Sequence, residues 1–196
     1  MNIAFLSSYN GSSAHAITDA CLEGDIIASP TLLITNNPNA NALNWAKNKG
    51  LKTSILNNQQ YPNAADLDFE IANTLQKHKI SLVILSGYMK LIGPKTLSAA
   101  NNRMLNIHPA LLPKYGGQGM FGSNVHRAVI ENKETETGIT IHQVNAKYDE
   151  GRIIAQRKIP VLPNDTAHDI EEKVKAAEPE FYIETIRKIQ KGEIDL

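Results

Sequence analysis

The sequence predicts an α/β protein with one doubly wound, mostly parallel sheet and helices on both faces. Short apolar segments alternate with longer amphipathic segments through the first half of the 196-residue chain, in the order β-α-β-α-β-α-β. The strand segments read as apolar runs, which is typical of parallel strands covered on both sides. Right-handed crossovers are expected between such strands, and we expect a single domain over residues 1–196.

Hydrophobic periodicity predicts the elements of the first half. The predicted strands cover residues 3–7, 31–35, 53–56 and 82–85, and the predicted helices cover residues 14–22, 40–49 and 64–79. Leu67, Ile71 and Leu75 lie on one face of the third helix because they are four residues apart. The segment 82–85 is the most apolar strand, so we expect it at the centre of the sheet.

The next strand, residues 104–108, carries the polar side chains of greatest interest. Strand side chains alternate between faces, so Asn106 and His108 point the same way. Pro109 ends the strand because proline has no N–H to donate. An amide and an imidazole thus lie together at the C-terminal end of a strand, where open α/β sheets bind ligands. Together they can stabilise a negative charge that develops on an oxygen atom.

A glycine-rich loop and two further strands follow. Residues 114–123 contain four glycines, which predicts a mobile loop. We expect Asn124 to cap a short helix after this loop. Strands are predicted at residues 140–144 and 153–159, and this pair can include an antiparallel member.

A long helix closes the predicted fold. Thr166 and Asp169 resemble a capping box at its start, and Gly192 lies just past its end at Lys191. Pro179 inside this segment predicts a kink or a break at Glu178, because proline removes a helical hydrogen bond.

Composition excludes several classes of function. Lys plus Arg equals Asp plus Glu at 20 each, so no net charge favours nucleic acid or a membrane surface. The single cysteine, Cys21, excludes an intrachain disulfide and a zinc site built on a cysteine pair. No apolar run has the length of a membrane span. The N-terminus shows neither a basic region nor a cleavage site, so we expect a cytoplasmic protein.

Three further features bear on a site. Residues 8–13 form a Gly/Ser turn between the first strand and helix, where backbone N–H groups and the helix dipole favour an anion. Gly87 allows close approach of a ligand to the backbone. Asp149 lies in a loop after a strand, and a carboxylate near His108 would raise the pKa of the imidazole.

These motifs together resemble the glycinamide ribonucleotide formyltransferase family of folate-dependent enzymes, from Met1 to about Lys191. The matching motifs are Asn-Gly-Ser at 10–12, Ser-Gly-Tyr-Met-Lys at 86–90, Asn-Ile-His-Pro-Ala-Leu-Leu-Pro-Lys-Tyr at 106–115, Gly-Ile-Thr-Ile-His at 138–142 and Asp-Glu-Gly at 149–151. The resemblance implies a Rossmann-like formyltransferase fold. It also implies transfer of a formyl group from 10-formyltetrahydrofolate to the amine of glycinamide ribonucleotide, in de novo purine biosynthesis.

The resemblance assigns roles to individual residues. Asn106, His108 and Asp149 match the catalytic trio, and no metal is implied. The substrate-binding residues are the phosphate turn Gly11, Ser12 and Ser13, the close-approach Gly87, and Glu178 for the ribose hydroxyls. The folate site comprises Met89, Lys90, Leu91, Ile92, Asn106, Asn145, Ala146, Lys147, Tyr148 and Asp149. Ala64 replaces a basic residue of many members. The expected partners are these two small molecules, without nucleic acid or membrane, and the expected assembly is a monomer or homodimer.

Alternatives differ in substrate or in class. A sugar-amine N-formyltransferase would share the same Asn/His/Asp core and differ in its pocket loops. A Rossmann-like binding protein without catalysis would not need that set of three side chains. A dinucleotide oxidoreductase is disfavoured because the fingerprint's second and third glycines are missing after the first strand. A methionyl-tRNA formyltransferase or a formyltetrahydrofolate hydrolase would be expected to carry an additional domain.

Overall fold

Seven strands and six helices make up the fold. The computed structural model describes residues 1–196. The strands are β1 (Asn2–Leu6), β2 (Ser29–Thr35), β3 (Lys52–Ile55), β4 (Leu82–Leu85), β5 (Met104–His108), β6 (Glu136–Gln143) and β7 (Ile153–Pro160). The helices are α1 (Ser12–Leu22), α2 (Asn41–Asn48), α3 (Ala64–Lys77), α4 (Pro94–Ala100), α5 (Ser123–Glu131) and α6 (Ala167–Gln190). The sheet order is β3-β2-β1-β4-β5-β6-β7, which confirms the predicted mostly parallel α/β class.

Contacts group the chain into two compact units, Met1–Leu105 and Asn106–Leu196. In the first unit, β1 pairs in parallel with both β2 and β4, and β2 pairs in parallel with β3. Phe5 of β1 is fully buried and lies opposite Leu33 on one side and Ile84 on the other. The apolar runs therefore form the core of this unit, as their composition predicts. The prediction of one domain over 1–196 stays a prediction.

Helix α4 of the first unit is absent from the predicted elements. Its N-terminal cap comes from Asp68 of α3, whose carboxylate accepts the backbone N–H groups of Lys95 at 2.8 Å and Thr96 at 2.9 Å. Gly93 precedes the helix, and a Cβ there would lie 2.2 Å from the Asp68 carboxyl carbon. Asp68 thus caps the helix although it lies 27 residues before Lys95 and 28 residues before Thr96, and no capping side chain precedes the helix locally.

In the second unit, β6 and β7 form the antiparallel pair that the sequence analysis allowed. Helices α5 and α6 pack together, and α6 also contacts both strands. The buried apolar residues of this unit include Val125, Val129, Ile139, Ile141, Ile170, Val174 and Ile186. This packing gives β6 a fixed position from which it presents side chains to the site.

One helix prediction of the second unit is wrong, and a second is wrong in part. Asn124 does not cap α5, because Gly122 occupies the capping position and Asn124 lies inside the helix. Its side chain instead donates to the carbonyl of Gly119 at 3.0 Å. Helix α6 is continuous from Ala167 to Gln190 in spite of Pro179, so no break occurs at Glu178, and the alternative of a kink stays a prediction. Packing of its buried residues outweighs the one hydrogen bond that proline removes.

The other end of α6 agrees with the sequence. Thr166 and Asp169 form the full capping box, with each side chain accepting the other residue's backbone N–H. No helix of the protein is long and apolar enough to cross a membrane. The cytoplasmic location stays a prediction.

Candidate active site

Strand β5 delivers Asn106 and His108 to the same place in the second unit. His108 is 3% exposed, and Asn106 is half-buried. The chain after β5 is held by Thr140 of β6, whose hydroxyl donates to the carbonyl of Ala110 at 2.6 Å and accepts the N–H of Leu112 at 3.0 Å. Because β6 fixes this exit segment, the imidazole at the end of β5 has a defined orientation.

Both ring nitrogens of His108 face acceptors. Nε2 lies 2.7 Å from the carbonyl oxygen of Tyr115, so Nε2 carries a proton. Nδ1 lies 3.4 Å from Oδ2 of Asp149. A doubly protonated ring can donate to both groups, whereas a neutral ring would turn a lone pair toward the carboxylate. The contacts therefore suit the charged form.

Burial acts in the opposite direction. It lowers the pKa of His108 below its usual range, although the Asp149 charge and the Tyr115 carbonyl both raise it. The expected effect of Asp149, which raises the pKa of the imidazole, is therefore present, but it does not set the net direction. The carboxylate does stabilise the charged ring, but the loss of water around a 3% exposed imidazole outweighs it.

His142 of β6 completes the cluster, and the sequence analysis assigned it no role. Its Nδ1 donates to the carbonyl of Gln143 at 2.9 Å, so Nε2 of the neutral ring has a lone pair. That atom lies 3.1 Å from the Asn106 amide nitrogen and 3.4 Å from Oδ1 of Asp149. One N–H of Asn106 is thereby directed to His142, and the amide has a second N–H for a ligand. His142 falls on the inward face of a predicted strand, which is a signal that could have identified it.

Asp149 is the centre of the cluster. It adopts the left-handed backbone conformation, at φ 57°, although it is not a glycine. Its carboxylate faces both histidines and accepts the N–H of Gly117 at 3.0 Å. Burial raises the pKa of Asp149, but His142, His108 and the Gly117 N–H together outweigh burial and lower it. Asp149 is therefore ionised at neutral pH beside His108. The structure brings together the three predicted catalytic side chains.

The glycine-rich loop is attached to this cluster at its start. Besides the Gly117 contact, a Cβ at Gly116 would lie 2.5 Å from the Leu112 side chain and 3.2 Å from Cβ of Asp149. A larger residue at Gly116 would require the Leu112 side chain to move. Gly117 is hydrogen-bonded to Asp149, and the mobility of the loop stays a prediction.

The predicted phosphate turn lies in the first unit. Gly11 is left-handed at φ 69° and supplies no side-chain cap to α1, which begins at Ser12. The Ser86 hydroxyl instead accepts the N–H of Ala14 in the first turn at 3.0 Å. A Cβ on Gly11 would lie 3.3 Å from the side chains of Ala42 and Ser7. Ser12 is exposed, and the phosphate role of the turn stays a prediction.

The predicted folate segment after β4 also lies in the first unit. Gly87 is left-handed at φ 70°, and the Met89 N–H donates to the hydroxyl of Ser8 at 2.9 Å. Met89, Lys90 and Leu91 are exposed, and Ile92 is buried. A cavity of ≈ 390 Å³ opens beside this segment, lined by Ser8, Tyr9, Asn36, Asn37, Pro38, Asn57, Asn58, Gln59, Met89 and Lys90. Its lining follows the C-terminal ends of β1, β2, β3 and β4, which is where such sheets bind ligands.

The second predicted folate segment is the loop between β6 and β7. Asn145, Ala146, Lys147 and Tyr148 are exposed. The Asn145 side chain accepts the N–H of Lys147 at 2.9 Å, and Lys147 pairs with Glu150 at 2.9 Å. The loop is therefore locally ordered up to Asp149, and a contact with folate stays a prediction.

Glu178 lies half-buried on α6, next to Pro179. Burial raises the pKa of its carboxyl group to about 7, and Lys175 opposes this rise. The nearby Tyr182 hydroxyl is buried without a hydrogen-bond partner. A carboxyl group with this pKa changes charge near neutral pH, which is a frequent property of functional positions.

The described residues contain no group of three or more His, Cys, Asp or Glu side chains placed to hold a metal ion. The polar cluster consists instead of an amide, two imidazoles and one carboxylate. Such a set can stabilise an oxyanion and transfer a proton.

Comparison with known proteins agrees with these observations. The model of the formyl transferase family matches residues 1–186. Phosphoribosylglycinamide formyltransferase of Haemophilus influenzae is 34% identical over 194 residues, which cover 99% of this chain and 89% of that protein. The chloroplastic phosphoribosylglycinamide formyltransferase of Arabidopsis thaliana is 35% identical over 95% of this chain. The chain spans 64% of that protein and 60% of a Vigna unguiculata relative with the same name.

A solved structure shows the same architecture. The crystal structure of glycinamide ribonucleotide transformylase 1 from Symbiobacterium toebii superposes with a TM-score of 0.91 at 35% identity, over 100% of this chain and 90% of that one. The resemblance seen in the sequence motifs is thereby confirmed over the whole fold.

Proposed function

The chain belongs to the formyl transferase family, and from this premise we propose that it transfers the formyl group of 10-formyltetrahydrofolate to the primary amine of glycinamide ribonucleotide. The observation that carries the proposal is the buried cluster of Asn106, His108 and Asp149, which has the groups that acyl transfer requires. Relatives named for this activity support the choice of substrates. De novo purine biosynthesis is the pathway that these names imply.

The reaction is a direct transfer. The amine nitrogen attacks the formyl carbon, and the carbonyl oxygen takes the negative charge of a tetrahedral intermediate. The second N–H of Asn106 donates to this oxygen, and the positive charge of protonated His108 stabilises it. Asp149 stabilises the charged form of the imidazole and orients the ring through the 3.4 Å contact with Nδ1. The attacking amine loses one proton, and the departing folate nitrogen receives one as its C–N bond to the formyl carbon breaks and the intermediate collapses, so the transfer is balanced.

The remaining residues bind the two molecules. We assign the ribose phosphate to the turn Gly11, Ser12 and Ser13, which its position at the start of α1 supports. We assign the ribose hydroxyls to Glu178. We also assign Gly87 as the residue whose backbone the substrate approaches closely. The folate site comprises the segments 89–92 and 145–149 with Asn106. Exposure of most of these side chains is consistent with contact to a ligand.

A direct assay tests the proposal. The purified chain is incubated with 10-formyltetrahydrofolate and either glycinamide ribonucleotide or an amino-sugar nucleotide, and the formylated product is measured by mass spectrometry. We expect transfer to glycinamide ribonucleotide and none for His108→Ala. Glu136→Gln, which removes an exposed ion pair with Lys158, is the matched control and should retain activity. Preferred transfer to the amino sugar would contradict the proposed substrate.

A further inference from the structure

The backbone of four residues, Lys114 to Gly117, holds both members of the His108–Asp149 pair. We refer to these four residues as the brace. The Tyr115 carbonyl accepts from Nε2 of His108 at 2.7 Å, and the Gly117 N–H donates to Oδ2 of Asp149 at 3.0 Å. The same Oδ2 atom lies 3.4 Å from Nδ1 of His108. The imidazole and the carboxylate are therefore fixed relative to each other by backbone groups two residues apart.

The brace is itself held by a single side chain. Oε1 of Glu134 accepts from the Tyr115 hydroxyl at 2.9 Å and from Nζ of Lys114 at 2.8 Å. These donors lower the pKa of the Glu134 carboxyl group, and Glu134 raises the pKa of the Tyr115 phenol, where burial is the larger cause. Glu134 is thus ionised, and Tyr115 is a neutral donor, at neutral pH.

The backbone at both ends of this contact is constrained. Tyr115 has φ 56°, a left-handed conformation that is unfavourable for a residue with a large side chain. Such a conformation persists where the surroundings enforce it. Glu134 lies three residues after the end of α5 at Glu131, and its N–H donates to the carbonyl of Val129 at 3.2 Å, so its backbone is attached to the helix. An anchored phenol can therefore keep the Tyr115 carbonyl directed at His108.

We propose that Glu134 is a positioning residue for the transfer reaction: by anchoring Tyr115 it fixes the brace, whose backbone keeps His108 and Asp149 in the geometry that the reaction needs. The kinetic part of this inference rests on the proposed function. The structural part does not, because the imidazole can be observed without substrates.

The groups that face His108 allow a clean readout. Asp149 and His142 lie against the ring, and His126 of α5 interacts with it electrostatically. None of these groups is altered in the variants below. The Tyr115 carbonyl stabilises the protonated ring, so its displacement should let His108 lose its proton at a lower pH.

Four variants test the inference. Tyr115→Phe removes only the hydroxyl, Glu134→Ala removes the acceptor, and Glu134→Gln keeps an acceptor oxygen without the charge. Glu136→Gln, two residues away, removes the exposed 2.9 Å ion pair with Lys158 and is the matched control. His108 is titrated by NMR without substrates, and kcat, KM and Tm are measured for each protein.

We expect Tyr115→Phe and Glu134→Ala to move the His108 titration to lower pH and to lower kcat about threefold to tenfold, with KM little changed. Glu134→Gln should recover part of both effects, and Glu136→Gln should match the wild type. A fall in Tm with an unchanged His108 titration would overturn the positioning role, as would an increase in kcat. If Glu134→Ala does not fold, the His108 titration and kcat of Tyr115→Phe and Glu134→Gln decide whether Glu134 has the positioning role. A shifted titration in a protein that does not formylate glycinamide ribonucleotide would refute the proposed function and the kinetic part of this inference, and would support its structural part, the anchoring of the brace by Glu134.

Discussion

At the residue scale, His108 is subject to opposing influences on its pKa. Burial lowers it, and the Asp149 charge raises it. Since oxyanion stabilisation uses the protonated ring, activity should be lost as pH rises through this pKa. We predict that Asp149→Asn lowers the pKa of His108 further, because the opposite charge is removed. Activity should then decline at a lower pH than in the wild type, as measured by the pH profile of kcat and by NMR titration.

The matched control for this change is Asp165→Asn. Asp165 lies outside the site, and its carboxylate pairs with Lys173. It should leave the His108 titration unchanged. Identical His108 titration curves for the wild type and Asp149→Asn would remove Asp149 from its proposed role.

Asn106 is the second residue whose role can be isolated. One of its N–H groups is directed to His142 at 3.1 Å, and we assign the other to the oxyanion. Replacement by alanine should raise the transition-state barrier by about 3 kcal/mol, a fall in kcat of roughly a hundredfold. KM for both substrates should change little. A raised KM with normal kcat would show that Asn106 binds substrate and does not stabilise the transition state.

At the element scale, the start of α1 is the proposed phosphate site. Ser12 is exposed at this helix terminus. We predict that Ser12→Glu raises KM for glycinamide ribonucleotide about tenfold or more and leaves KM for folate nearly unchanged, because the new carboxylate repels a phosphate. An acidic residue at a helix start is otherwise favourable, so Tm should not fall.

Initial-rate kinetics with each substrate varied in turn measure both constants. Ser98→Glu places the same charge on the exposed face of α4 and should leave both KM values unchanged. If Ser12→Glu raised the KM values for both substrates equally, a phosphate site at this turn would be excluded.

The glycine-rich loop is the second element with a testable role. Gly117 is held by Asp149, so only residues 118–121 can be removed without disturbing the cluster. We predict that this deletion reduces transfer, increases hydrolysis of the formyl donor, and leaves Tm nearly unchanged, because such loops exclude water from a bound substrate. Both reactions are measured together from the folate product and the formylated product. Unchanged transfer without added hydrolysis would show that the loop is only a connection.

At the scale of the whole molecule, the pKa of Glu178, the proposed ribose-binding residue, bears on stability. Burial raises its pKa to about 7 in the folded protein, above the value of about 4.3 for an unperturbed glutamate. A raised carboxyl pKa contributes stability that is fully present below the unfolded value and is lost as pH rises through the folded one. We predict that Glu178→Gln increases the free energy of unfolding relative to the wild type near pH 8.5 and has little effect near pH 4.5.

Urea unfolding at several pH values measures this difference. Glu172 is exposed on the same helix and provides the control. For Glu172→Gln, the free energy of unfolding should depend on pH in the same way as for the wild type. The same Glu178→Gln variant should raise KM for glycinamide ribonucleotide. The titration of Glu178 in this pH range would be contradicted if the difference in the free energy of unfolding between the wild type and Glu178→Gln did not depend on pH.

Much of the fold follows from local information. The predicted bounds of β4 and β5 agree with the structure, and the capping box at Thr166 begins α6 as expected. The sequence predicts three candidate catalytic residues. Asn106 and His108 share one face of a strand, and Asp149 follows another strand. Periodicity, capping and turn residues act over a few positions, so they are legible in the sequence.

The tertiary structure decided the features that depend on distant residues. Helix α4 is capped by Asp68 from another helix, and packing keeps α6 continuous through Pro179. The place of His142 in the cluster and the attachment of Gly117 to Asp149 follow from contacts made only in the folded chain. The net direction of the His108 pKa also depends on burial, which no local pattern measures and which outweighs the neighbouring Asp149 charge. The sequence by itself thus determined the candidate residues Asn106, His108 and Asp149, and folding determined which groups surround them, because those neighbours come from distant parts of the chain.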